Sequence, residues 1–139
     1  KHNVLIGERT AEEIKKTVGC VGPFEEERTM EVKGRCLLTG LPRTFTVSST
    51  EMIEAFEEVS GKILEAVHNV LERTPPELVG DIYQNGICLT GGGALLRGLS
   101  DLLHEQTGLP IMISEDPLSA VAEGTGKYLQ ENDDVFEEE

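Results

Sequence analysis

Tryptophan is absent from this chain of 139 residues, and only four Phe and two Tyr supply aromatic rings. A core built from it is therefore aliphatic. Positive charge is also scarce: 12 Lys and Arg stand against 26 Asp and Glu, a formal net charge of −14. That balance argues against sequence-independent nucleic-acid binding, which needs clustered cations. It argues equally against electrostatic docking on anionic lipid. No apolar run approaches the roughly 18 residues of a membrane span, and no secretion signal is evident.

Cysteine is limited to Cys20, Cys36 and Cys88, widely spaced and without a CxxC pair. Neither a disulfide framework nor a zinc site is encoded, and three free thiols fit a reducing cytosol. Cys88, inside an apolar run, reads as a small buried hydrophobe. His2, His68 and His104 have no partner motif, and Gly-x-Ser-x-Gly is absent. The residues alone thus offer no catalytic group and no metal ligands. The chain opens on Lys1 rather than Met, which reads as a fragment. Glu131, Asp133, Asp134, Glu137, Glu138 and Glu139 form an acidic tail over 131–139, expected to be disordered and solubilising.

What is present is an alternation of helical and extended patterns. Thr10 with Glu13 predicts a capping box for a helix running to Gly19. Thr29 to Leu38 alternates around Lys33-Gly34, which predicts a hairpin or a bulged strand there. Arg43 to Val47 is a β-branched strand. Ser48 or Ser49 opens a long helical region, with Glu51 completing a second capping box. Gly61 marks an expected break within it, and Pro75-Pro76 ends it. Pro76 opens a short helix closed at Asn85-Gly86. A strand from Ile87, a helix from about Leu95 to Gln106 and a strand Pro110 to Ile113 predict a parallel pair with a helical crossover. A last helix starts at Asp116-Pro117.

The most informative stretch is Ile87 to Gly98, an apolar run ending in Gly91, Gly92 and Gly93 and leading straight into a second apolar segment. It reads as strand, tight turn and helix. Such a turn lets a ligand approach the backbone closely, and the amides of a following helix favour an anion. It is neither GxGxxG nor a Walker loop, and a glycine triplet after a strand, taken alone, is more often a plain tight turn. Lys15 and Lys16 could reach a nucleotide, or could simply favour the C-terminal dipole of their helix.

Five blocks then carry a family resemblance. They are Leu5 to Lys15, Gly40 to Thr44, Leu71 to Leu78, Leu89 to Leu99, and Glu115 to Leu118 followed by Gly124 to Lys127. In this order they resemble the MreB-type bacterial actins, the rod-shape-determining proteins. The resemblance implies an α/β chain that is a C-terminal fragment of the actin-like (ribonuclease H-like) ATPase fold. Residues 1–57 would be subdomain IIB, and 58–130 the end of subdomain IIA. It implies ATP or ADP with Mg²⁺ as cofactor. Gly91, Gly92, Gly93, Ala94, Leu95 and Leu96 would lie along the nucleoside and α-phosphate. Glu12, Glu13, Lys15 and Lys16 would face the adenine and ribose. It further implies self-association into filaments, cell-wall elongation machinery as partner, and a cytoplasmic location at the inner face of the bacterial membrane.

The family's two phosphate loops, its Mg²⁺-binding Asp and its water-activating carboxylate would precede this chain. The chain alone is therefore expected to be inactive as an ATPase. Cys20, Cys36 and Gly61 depart from the family pattern. The competing readings are another actin-superfamily ATPase, such as a sugar kinase or an Hsp70-type domain, and a stand-alone binding module.

Overall fold

The structure, a computed structural model, describes residues 1–22 and 24–131. Most of the expected acidic tail, 132–139, lies outside the described residues. Glu131, its first residue, is the exposed last residue of a helix.

A short strand β1 (Val4–Leu5) leads into α1 (Glu8–Val18). The helix turns Ile14 and Val18 inward and every charged residue outward. It starts earlier than the expected Thr10 cap, because the Ala11 amide already bonds the Gly7 carbonyl at 3.0 Å. Gly7 is the N-cap and no side chain caps it, so Thr10 lies inside the first turn. Gly19 does end the helix, but its φ of −56° is ordinary. Its requirement is space, since a Cβ there would run into the Lys15 carbonyl oxygen.

Strand β2 (Thr29–Cys36) runs unbroken, so no turn or bulge forms at Lys33-Gly34. Gly34 is small for another reason: a Cβ would lie 2.5 Å from Val4 Cγ1 and 2.6 Å from the Leu5 oxygen of β1. The hairpin turn falls later, where the Gly40 amide bonds the Cys36 carbonyl at 2.8 Å, before β3 (Pro42–Ser48). The three strands order as β1-β2-β3, all antiparallel, with Val32 opposite Phe45 and Met30 opposite Val47. Their inner face and α1 enclose a core of Ile14, Val18, Val32 and Val47. Burial of each such side chain contributes about 2 kcal/mol.

The helix α2 (Ser49–Arg73) is continuous over 25 residues, so the break expected at Gly61 does not occur. Gly61 faces open space, and its cost is only the ~1 kcal/mol of poor helix propensity. The capping box forms as expected: the Glu51 amide donates to Ser48 Oγ at 3.5 Å, and the Ser48 amide to Glu51 Oε2 at 3.3 Å. Met52 of α2 packs on the first core. Phe56, Leu64 and Val67 pack on a second core around Val21, Leu99 and Leu103.

Burial is the largest influence on the Glu51 carboxyl and pushes it up. The Ser48 amide, His2 and Lys1 together outweigh it and hold the carboxyl below its ordinary 4.5. Replacing Ser48 by alanine should cost about 1 kcal/mol in urea unfolding at pH 7. Because the Glu51 value is depressed on folding, that box stabilises above pH 4.5 and fades as pH falls below it. The penalty of Glu51→Gln, which removes the carboxylate, should therefore shrink in acid, whereas that of Ser48→Ala, which removes only the acceptor of the Glu51 amide, should not.

Beyond Arg73 come α3 (Pro76–Asn85), β4 (Ile87–Leu89), α4 (Leu99–Thr107), β5 (Ile111–Ile113) and α5 (Ala120–Glu131). As the pattern predicted, β4 and β5 pair in parallel, with Cys88 opposite Met112. Cys20 and Cys36 are buried, but Cys88 is exposed, because α4 covers only one face of this pair. α5 starts later than Asp116-Pro117, since Asp116 first closes a turn by accepting the Ser119 amide on Oδ1 at 3.3 Å.

Neither α3 nor α5 buries a residue, and Leu78, Tyr83, Val121 and Leu129 stand exposed. Apolar faces of the second half are thus left uncovered by this chain. No helix among the described residues is long and apolar enough to cross a membrane.

Candidate functional site

The glycine turn sits at the carboxyl end of β4, where open parallel sheets place their ligand crevices. The Gly91 amide donates to the Pro117 carbonyl at 2.5 Å, which ties the turn to the segment after β5. The residues that follow do not form the expected long helix. Gly92–Leu95 makes a single 3-10 turn, closed by Ala94 N–H to Gly91 O at 3.1 Å. The chain then extends through Leu96 and Arg97, and α4 begins only at Leu99. Three glycines and a buried Ala94 give this turn no apolar face to hold a longer helix. The helix dipole expected behind the glycines is therefore absent, and any ligand there meets backbone rather than a helix end.

Exposure divides the turn. Gly92, Gly93 and Leu95 face outward, and nothing lies within 4 Å of the space a Gly93 side chain would take. Ala94 is buried, and Leu96 packs on the second core, so these two can offer only backbone.

The α1 residues form a separate charged face. Lys15 Nζ meets Glu12 Oε2 at 2.6 Å and Lys16 Nζ meets Glu12 Oε1 at 3.5 Å. The Lys15 hydrogen bond is the main reason the Glu12 carboxyl sits below its ordinary 4.5. All four residues, Glu12, Glu13, Lys15 and Lys16, are exposed. Such surface pairs hold weakly and can exchange partners for a ligand. Arg9, Glu12, Glu13, Lys16 and Thr17 line a shallow hollow of about 430 Å³. A larger groove of about 620 Å³ lies elsewhere, between β1, β3 and the start of α2, and borders neither the glycine turn nor the outer face of α1.

The two elements meet through one junction. Cys20 forms a parallel bridge with Arg97, and the Val21 amide donates to the Arg97 carbonyl at 3.0 Å. The end of α1 is thereby fixed to the tail of the glycine turn. Among the described residues no hydrogen bond or ion pair joins the four charged side chains to the glycines themselves.

Three contacts escaped the sequence because their partners lie far apart along it. His2 Nε2 bonds Glu51 Oε1 at 3.0 Å while its ring lies 4.8 Å from that of Phe45. Ser49 Oγ donates to the Arg28 carbonyl and accepts the Arg28 amide, both at 3.1 Å. Arg97 stacks over Phe24 at 5.7 Å. His104 bonds the Leu109 carbonyl at 2.7 Å, a structural role. No metal-binding cluster of His, Cys, Asp and Glu occurs among the described residues.

A family model described as MreB/Mbl protein matches residues 1–137. The chain belongs to the MreB/Mbl family. It is 51% identical over 139 residues to the cell shape-determining protein MreB of Escherichia coli K12, which covers 97% of this chain and 40% of that protein. It is 50% identical over 133 residues to the cell shape-determining protein Mbl of Bacillus cereus, covering 96% of this chain and 40% of the relative. The MreB/Mbl segment described here thus spans about two-fifths of the length of these relatives.

A crystal structure of MreB5 of Spiroplasma citri bound to ADP matches with a TM-score of 0.94 and 37% identity, over 100% of this chain and 42% of that one. The same protein bound to AMPPNP matches at 0.90 and 38%, over 97% and 41%. The fold is accordingly a partial segment of the actin-like architecture of MreB. The motif blocks fall at its joints: β1 into α1, the hairpin turn, the α2–α3 corner, the glycine turn and the turn before α5.

Proposed function

We propose that this MreB/Mbl segment supplies one wall of an adenine-nucleotide cleft in a filament-forming, cell-shape-determining protein. The observation that carries the reading is the open glycine turn after β4, in a chain that superposes at 0.94 on a protein solved with ADP. Gly91 to Leu96 would run along the nucleoside and α-phosphate, with Gly92 and Gly93 giving close backbone approach. Glu12, Glu13, Lys15 and Lys16 would face the base and ribose. Residues 1–57 would act as subdomain IIB and 58–130 as the end of subdomain IIA, with α2 passing between them.

ATP or ADP would be held with Mg²⁺, whose ligands and the phosphate loops would lie in the amino-terminal part of the whole protein. Closing of two lobes on nucleotide would couple binding to head-to-tail assembly, an interface that propagates rather than closes. Filaments at the inner face of the membrane would then organise the cell-wall machinery.

In sedimentation, the full-length protein should pellet in ATP and Mg²⁺ and stay in solution when the nucleotide is destroyed. Failure to pellet in any nucleotide state contradicts the reading. This chain by itself should release no phosphate above background, and Mg²⁺-dependent release would show that catalytic groups have been misplaced.

A further inference from the structure

Two glycines cap α4, one at each end, and they share a left-handed backbone but not their surroundings. Gly98 before it has φ +80° and ψ −3°, and Gly108 after it has φ +69° and ψ 6°. Both are left-handed, so alanine carries similar backbone strain at either. At Gly108 nothing lies within 4 Å of a Cβ, whereas at Gly98 it would stand 3.0 Å from the Gly22 nitrogen and 3.4 Å from Gly22 Cα. The neighbour is backbone and cannot swing aside.

Gly22 belongs to the segment that leaves α1. Cys20 Sγ donates to the Gly22 carbonyl at 2.9 Å, and Val21 is bonded to the Arg97 carbonyl. At Gly19 a Cβ would come 3.2 Å from Leu96 Cδ1. Gly19 and Gly98 thus let two backbone segments lie in contact, whereas a Cβ at Gly22 would stand an ordinary 3.8 Å from the Gly98 carbonyl oxygen. The segments lead directly to the charged face of α1 on one side and to the glycine turn on the other.

We infer that this glycine junction sets the spacing between the two nucleotide-facing elements, with Gly98 as a positioning residue that does not touch the nucleotide. The inference rests on the proposed nucleotide reading. A side chain at residue 98 would push the Cys20–Gly22 segment, or the turn, out of register and widen the cleft wall.

The test uses the full-length protein with Gly98→Ala, Gly108→Ala and Gly93→Val, read by ADP titration and by hydrogen exchange of the Val21 amide. Gly98→Ala should weaken ADP binding about tenfold and speed Val21 exchange to a similar degree. Gly108→Ala should change both by no more than about twofold while losing only the thermal stability that left-handed strain costs by itself. Should Gly98→Ala not fold, Phe24→Ala removes the ring under Arg97 and should weaken ADP about threefold.

Equal ADP affinity in the two alanine variants, with Gly93→Val weakened, overturns the positioning role and leaves the nucleotide reading intact. Unchanged affinity in Phe24→Ala does the same where that variant carries the test. If Gly93→Val also binds ADP like the parent, the nucleotide reading falls and the inference falls with it.

Discussion

Replacing Gly93 by valine should weaken ADP or ATP binding about a hundredfold, some 2.7 kcal/mol, in the full-length protein. The fold should barely notice. Gly93 is exposed, lies outside the left-handed region, and has no atom within 4 Å of the added Cβ. The remaining cost is χ1 restriction in a short turn, a few tenths of a kcal/mol. A Cβ there meets no other part of this chain, so the added side chain projects into the open space along the turn. If a nucleoside lies along the turn, the valine occupies its place. Gly92 is nearly as open, since a Cβ there meets only Leu118 Cδ2 at 3.4 Å. Parallel melting curves and nucleotide titrations separate the two effects. Unchanged affinity with a folded variant would remove the glycine turn from the site.

Gly86→Val should do the opposite, destroying the fold of the second half before any ligand is added. Gly86 closes α3 with φ 77° and ψ −162°, a conformation few side chains tolerate. A Cβ would also strike the Pro110 carbonyl oxygen. That oxygen accepts the Ile87 amide at 2.8 Å and begins the pairing of β4 with β5. Forcing the strands apart loosens Leu89 and Ile111 from Leu99 and Leu103 in the second core. Backbone strain and lost packing together should cost about 4–5 kcal/mol, close to the whole stability of many domains. The expected outcome is the loss of a cooperative unfolding transition. A melting temperature within a few degrees of the parent would show that β4 and β5 are held by something other than this corner.

The local signals that worked were those decided within a few residues. The Ser48–Glu51 box, the Pro76 start and the parallel partner of Ile87 were all legible in sequence. What misled was glycine. Gly34 and Gly19 look like a turn and a left-handed stop, yet each is small because a distant or folded-back segment crosses it. Gly61 looks like a break, but in an exposed helix interior a glycine is tolerated when every neighbour is helical. The glycine triplet marked the right place but the wrong continuation, since a 3-10 turn and an extended link replace the first turns of the helix. Cys88 appeared buried because its strand is apolar. One face of that strand is bare in this chain, and no local pattern reports what covers it. The Cys20–Arg97 junction and the His2–Glu51 pair were invisible because tertiary packing, not spacing, brings them together. The family resemblance, by contrast, rested on blocks spread over the whole chain, and the comparisons bear it out.

The most direct measurement is a crystal structure of the full-length protein with ADP. The adenosine should lie in van der Waals contact with the Gly91 to Leu95 backbone on one side and with the Glu12 to Lys16 face of α1 on the other. ADP bound away from the glycine turn, with Gly92 and Gly93 still open to solvent, would contradict the account.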